Sequence, residues 1–429
     1  MTARETALAA LIACRRQGAW SDGVLKELIG RNALDRRDAA LASRLCYGVL
    51  QNQMLLDFYL EQFLHGGIKK LQPQVADILR LGAFQILLCD KIPPSAAVNE
   101  AVEQAKRSAN RQAAGLVNAV LRNLLRNREN LRRPTDLATR YSHPQPLVEL
   151  LTQAVGENKI EPLLAAHNTA PEITVQTNCL KITTPELAAQ LKQLGIGVQM
   201  HPWLADCLIL SATGSVEQLD AFRQGLFYVQ DPAAKLAVQC ADLAPGMTVL
   251  DCCAAPGGKS FAAAIAMENR GKLISCDIHP HKIALIEKGA ARLGLTCLHA
   301  QVQDASKQNA QWLGQMDAVI ADVPCSGLGV IRKKPDIRYK DLSQIERLPQ
   351  IQQAILQNQA AYVRPGGVLL YSTCTVLPAE NQNVIARFLA SHPEFSPEPL
   401  AMSPSGMITL LPCEQGTDGF FICKLRRER

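Results

Sequence analysis

Val249-Leu250-Asp251-Cys252-Cys253-Ala254-Ala255-Pro256-Gly257-Gly258-Lys259-Ser260 runs from a short apolar strand through a turn of small residues to the start of a helix. Glycines at the carboxyl end of a parallel strand let a ligand approach bare backbone, and open α/β sheets bind cofactors at that edge. Three nucleotide readings compete. A Walker A loop needs Gly-x-x-x-x-Gly-Lys-Ser/Thr; Gly258, Lys259 and Ser260 comply, but Cys253 stands where the first glycine belongs. The dinucleotide pattern Gly-x-Gly-x-x-Gly is absent. What remains is the adenosyl site of a methyl-transfer enzyme, with a cradle from Cys253, Ala254, Ala255, Pro256, Gly257 and Gly258 to Lys259.

Downstream, apolar strand-like runs at 273–276, 296–301, 318–321 and 368–371 alternate with helical stretches. Such alternation implies a doubly wound, mostly parallel, Rossmann-like sheet. An adenosyl site calls for a carboxylate after the second strand, to accept from the ribose hydroxyls, and a polar group after the third, for the adenine amino group. Asp277 and Asp304 stand at those places.

The fourth strand ends Asp322-Val323-Pro324-Cys325-Ser326-Gly327 and the fifth Tyr371-Ser372-Thr373-Cys374-Thr375, at the same sheet edge as the cofactor turn. Two thiols and a carboxylate therefore converge on one crevice. A buried cysteine is ordinarily a small hydrophobe, the reading for the other twelve; this pair differs in standing where a strand opens into a loop. Cytosine C5 is too weak a nucleophile to take a methyl group unaided. Adding a thiolate to C6 makes C5 enamine-like, and the C5 proton must then leave before the thiolate is expelled. One thiol as nucleophile and one to assist release fits that sequence. Asp322 would hold the N3 and N4 edge of the base, with Lys259 orienting it.

Composition bounds the rest. A chain of 429 residues with 48% hydrophobic content implies several domains with real cores. The net charge of +6 is uneven: residues 1–140 hold 21 Lys and Arg against 13 Asp and Glu. A local positive potential of this kind draws a phosphate-bearing partner. The fourteen cysteines include no Cys-x-x-Cys spacing, which argues against a zinc site or a disulfide framework and for a reducing cytoplasm. No apolar run reaches the ~18 residues of a membrane span, and the start does not read as a signal peptide. Apolar spacings of three and four at Leu41, Leu45 and Val49, and at Val75, Ile78, Leu79 and Ile86, predict an all-helical first domain, with Ser95 as a helix cap after Pro93-Pro94. The Pro-rich stretch at 141–146 places a boundary near residue 140. From there to 230 a small α+β module is expected, with strands at 173–177, 198–201 and 207–210 and helices at 185–194 and 216–222; the transferase domain fills 231–429.

The cofactor turn, the Pro-Cys segment and the Thr-Cys segment together resemble the Nol/Nop/Sun family of RNA cytosine-5 methyltransferases. Pro378-Ala379-Glu380-Asn381 resembles the helix that follows the family's Thr-Cys motif, and Asp418-Gly419-Phe420-Phe421 its closing strand. The resemblance implies S-adenosylmethionine as cofactor, Cys374 as nucleophile and Cys325 as the residue assisting release. DNA cytosine-5 methyltransferases attack with their Pro-Cys cysteine and lack the second, so Cys374 points to RNA and away from DNA. Residues 1–130, with Leu81-Gly82-Ala83-Phe84 and Val117-Asn118-Ala119-Val120, resemble a NusB-like RNA-binding bundle, and the middle module is RRM-like. This arrangement is similar to the bacterial RsmB (Sun, Fmu) branch, which implies a monomeric enzyme acting on 16S ribosomal RNA before assembly. Transfer RNA methylation, or a NusB-like binding factor with an inactive transferase half, are the alternatives. Gln176, Gln303 and Gln145-Pro146 depart from the family pattern.

Overall fold

The computed structural model describes residues 1–17 and 20–428. It forms two compact units, Met1–Thr169 with Ile331–Lys340, and Ala170–Val330 with Asp341–Arg429.

The first unit is all-helical. Its longest helices, Arg36–Glu61, Pro73–Leu88 and Arg111–Arg126, bury the expected apolar stripes: Leu45, Val49, Val75, Ile78, Leu79 and Val117 share one core. Asp35 and Asn110 cap two of them by accepting from the backbone three residues on. Ser95 does not cap: the helix Pro94–Ser108 begins at Pro94, whose fixed φ suits the first turn, and Ser95 lies inside it.

The unit runs past the expected boundary near 140. The prolines around 141–146 mark turns between packed helices, because Leu137–Tyr141, Gln145–Val155 and Glu157–His167 close onto the bundle, where the Leu55 N–H donates to Ser142 Oγ (3.0 Å). Residues Ile331–Lys340 also belong here. Buried Arg338 donates to Gln51 O and Asn168 Oδ1 (both 2.9 Å), and Tyr339 OH to Leu50 O (2.9 Å).

The second unit holds two sheets. In the smaller one, β1 (Ile173–Thr177), β2 (Gly197–Met200), β3 (Cys207–Ser211) and β4 (Phe227–Val229) lie antiparallel in the order β2-β3-β1-β4. β4 was not foreseen, being only three residues long. The helix expected over 216–222 is split by extended Leu219 into a 3₁₀ turn, Val216–Gln218, and a short helix, Asp220–Arg223. Gln176 is fully buried and donates to Gln230 O. Asn178 donates to Gly225 O (3.0 Å) and Leu293 O (2.9 Å), tying this module to the transferase domain.

The larger sheet contains β5 (Thr248–Asp251), β6 (Lys272–Asp277), β7 (Leu298–Val302), β8 (Met316–Asp322), β9 (Val363–Thr373), β10 (Phe395–Pro397), β11 (Met407–Leu410) and β12 (Phe420–Arg427). Its order is β10-β12-β9-β8-β5-β6-β7, with β11 on β12; β5 to β9 are parallel and the last three strands antiparallel. Side chains alternate between two cores: Val249, Leu273, Ile320 and Leu370 enter one, Leu250, Ile274, Val319 and Leu369 the other. Burial on both faces produces the continuous apolar runs seen in the sequence. After β7 the chain returns to the other side of β5, so the topological switch lies between β5 and β8.

Candidate active site

The Gly-rich turn leaves β5 at that switch and is pinned to both neighbours: Cys252 N–H donates to Ile320 O (3.0 Å) and Ala254 N–H to Cys276 O (2.7 Å). Gly257 takes φ +112°, and a Cβ there would overlap the Phe261 ring; only glycine turns the chain into the helix Gly258–Ala266. Beneath the turn Asp251 is fully buried. Ser275 Oγ donates to Ser260 Oγ (2.8 Å), which donates to Asp251 Oδ2 (2.6 Å). Burial pushes the Asp251 carboxyl up to about 7, against the opposing pull of Ser260.

From the first turn of the helix, Lys259 Nζ reaches Asp322 Oδ2 (2.7 Å) at the end of β8, while Ser372 Oγ on β9 donates to Asp322 Oδ1 (2.8 Å). The ammonium also lies 5.1 Å from the centre of the Phe420 ring. Burial disfavours its charge, but Asp322, with Asp251 and Cys374 adding to it, outweighs that and holds Lys259 above its ordinary value. Beside this pair the Cys325 and Cys374 sulfurs are 3.0 Å apart, both thiols being free. The hydrogen bond to Cys374 comes first, then burial, the Cys374 charge and Glu380, in pushing the Cys325 thiol well above the usual range. The two thiols share one hydrogen bond, in which either sulfur can be the donor.

The turn 378–381 holds both cysteine loops. Fully buried Glu380 accepts from Ser326 N–H (2.9 Å) and from Gln352 Nε2 (2.8 Å), which also donates to Pro324 O (3.0 Å). Thr373 Oγ1 donates to Asn381 Oδ1 (2.6 Å), Asn381 Nδ2 to Thr375 O (3.0 Å), and Ser326 Oγ to Thr375 Oγ1 (2.8 Å). The sequence reading placed Glu380 and Asn381 on a helix; they precede it, since Gln382–Ser391 begins one residue later. It missed Asp251, Gln352 and Ser372 as parts of the site. Only the position of Asp251 at a strand end offered a signal.

Asp277 closes β6, nearly buried, accepting from His279 N–H (2.9 Å) with Lys282 Nζ at 3.6 Å. Asp304 lies past β7 and commits Oδ1 to a local turn, accepting from Ser306 N–H (3.0 Å) and Ser306 Oγ (2.7 Å), which lower its pKa.

Family models for the NusB family, the RsmF/B-like ferredoxin-like domain and the 16S rRNA methyltransferase RsmB/F match residues 1–126, 143–217 and 238–426. The probable ribosomal RNA small subunit methyltransferase B of Bacillus subtilis is 38% identical, covering 99% of this chain and 98% of its own. The chain belongs to the RsmB/F methyltransferase family. Ribosomal RNA small subunit methyltransferase B of Vibrio cholerae is 33% identical over 91% of this chain and 90% of its own. Among solved structures, that of PH0851 covers 100% of this chain and 98% of its own at TM-score 0.83 and 24% identity, a likeness of fold. A methyltransferase homologue from Pyrococcus horikoshii covers 68% and 98% at TM-score 0.61 and 25% identity. NusB bundle, ferredoxin-like module and methyltransferase sheet are thus the family's own order. No described helix of this RsmB/F member is long and apolar enough to cross a membrane.

Proposed function

We propose that this protein methylates carbon 5 of a cytosine in 16S ribosomal RNA, using S-adenosylmethionine, through a covalent bond between Cys374 and C6. The contact of the Cys325 and Cys374 sulfurs at 3.0 Å, beside the Lys259–Asp322 pair, carries this reading.

The chemistry of the donor set fits the cofactor. Backbone exposed by Gly257 and Gly258, with Cys253, Ala254, Ala255, Pro256 and Lys259, would hold its amino-acid end. Asp277 would take the ribose hydroxyls, Asp304 the adenine edge, and Asp322 lies next to the reacting centre. The bound sulfonium supplies an electrophilic methyl group.

Cys374 attacks C6 as its thiolate; the electron pair displaced from the C5=C6 bond settles on N3, which takes a proton from solvent, and the N3 and N4 N–H groups then donate to the Asp322 carboxylate that Lys259 and Ser372 hold in place. C5 becomes enamine-like and accepts the methyl group. With Cys374 bonded to carbon, its negative charge is gone and Cys325 loses the chief reason for retaining its proton. Cys325 gives that proton to solvent and then acts as base, taking the C5 proton while the C6–S bond breaks and returns its electrons to Cys374; N3 releases its proton as the aromatic ring re-forms.

The cytosine must be flipped out or held in a loop to reach these thiols. The basic residues of 1–140 anchor structured RNA, and RNA affinity unchanged on their removal would refute that part. Labelled S-adenosylmethionine with unmethylated ribosomal and transfer RNA tests the substrate, with incorporation expected in ribosomal RNA alone. Cys374→Ala is expected to abolish turnover and form no adduct, whereas Cys325→Ala accumulates a protein–RNA adduct. An adduct in Cys374→Ala would reverse the roles.

A further inference from the structure

Two chemically identical thiols in contact need something to make them different, and the groups around them are asymmetric. On the Cys374 side stands Lys259, a cation whose charge Cys374 helps to hold. On the Cys325 side stands Glu380, fully buried, accepting from the N–H of the residue next to Cys325. The other titratable neighbours are Asp322, already paired with Lys259, and Tyr371, whose hydroxyl donates to the Glu380 carbonyl (2.6 Å). The two thiols thus lie between a cation paired with Asp322 and a buried carboxylate that holds the Cys325 loop. Glu380 Oε1 and Gln352 Oε1 are buried and accept no hydrogen bond from a described residue, so little nearby screens the carboxylate.

We infer that Glu380 is the positioning residue that divides the labour of the two cysteines: it holds the Cys325 loop through the Ser326 N–H and keeps the shared proton on Cys325, leaving Cys374 as the nucleophile. The inference rests on the proposed roles of the two thiols but concerns the resting protein, before any RNA or cofactor binds. A negative charge near a thiol favours its neutral form, and Glu380 is among the groups that raise Cys325.

The test is alkylation by iodoacetamide of the full-length protein without ligands, each thiol followed by mass spectrometry from pH 6 to 10. In the native protein Cys374 should react first, with its rate levelling off at lower pH than that of Cys325. In Glu380→Gln the amide oxygen still accepts from Ser326 N–H, so the loop is held and the charge alone is lost. The preference for Cys374 should fall by about tenfold, one pKa unit. Gln352→Met removes the neutral tie and leaves the charge, so the preference should stay within about twofold of native. A native preference for Cys325, joint titration of the two thiols, or an equal fall in Gln352→Met would each overturn the inference. If Glu380→Gln fails to fold, the native pH profiles decide alone. Methyl transfer measured in parallel separates the readings: loss of activity with an unchanged alkylation ratio refutes the role of Glu380 and leaves the proposed function standing.

Discussion

Asp251→Asn should stabilise the transferase domain at alkaline pH and do little in acid. The native carboxyl is fully buried and titrates at about 7, against about 3.8 for an unfolded chain. The folded state therefore prefers the protonated form. Its advantage is complete below pH ~3.8, declines as pH rises, and is exhausted once the pH has passed about 7. A shift of about three units corresponds to ~4 kcal/mol of cost for keeping the charge buried at pH 8. Asparagine is isosteric and neutral, and its Oδ1 can still accept from Ser260. Its amide, however, would stand where Asp251 Oδ1 lies buried without a hydrogen-bond partner among the described residues. A buried N–H left without an acceptor costs ~1–2 kcal/mol, leaving a net gain on the order of 2–3 kcal/mol at pH 8. The assay is urea unfolding of the full chain from pH 5 to 8.5, read by labelling of Cys423, which is buried in the same sheet and reports on that domain. The advantage of the variant should grow with pH and level off above about 7. A pH-independent difference, or a larger one at pH 5 than at pH 8, would refute the reasoning.

Gly257→Ala places a methyl group against the Phe261 ring at a φ that L-residues avoid. It should weaken binding of S-adenosylhomocysteine at least about tenfold by calorimetry, through ~1–3 kcal/mol of local strain; undiminished affinity would remove the turn from the cofactor site. Arg338→Met strips part-buried acceptors on Gln51 and Asn168 of a charged donor, a loss on the order of 3 kcal/mol in the first unit. Hydrogen exchange should then quicken across 331–340, and unchanged protection there would show that Arg338 does not anchor the segment.

The elements nearest the chemistry were legible because their signals are local. An apolar run, then small residues, then a helix start at 249–266 needs no partner to be recognised, and the same holds for the strand ends at Asp322 and Thr373. Elements whose stability comes from distant pairing were harder to read. The three-residue β4 is a strand only because it lies against β1. The segment Ile331–Lys340 looks like a loop between β8 and β9, yet it belongs to the helical unit because Arg338, itself buried, and Tyr339 find backbone acceptors there.

The same division applies to the site. From the sequence alone come the parallel sheet, the cofactor turn and two thiols at one sheet edge, since strand order and side-chain alternation carry residues of known spacing to known faces. Tertiary structure alone brings the sulfurs to 3.0 Å, sets Glu380 against a loop 54 residues earlier in the chain, and buries Asp251 beneath the turn. These are contacts between segments far apart in sequence, decided by packing and desolvation once the chain has closed around them. The residue types at the site follow from their order along the chain, and the differences in proton affinity among them arise from that enclosure.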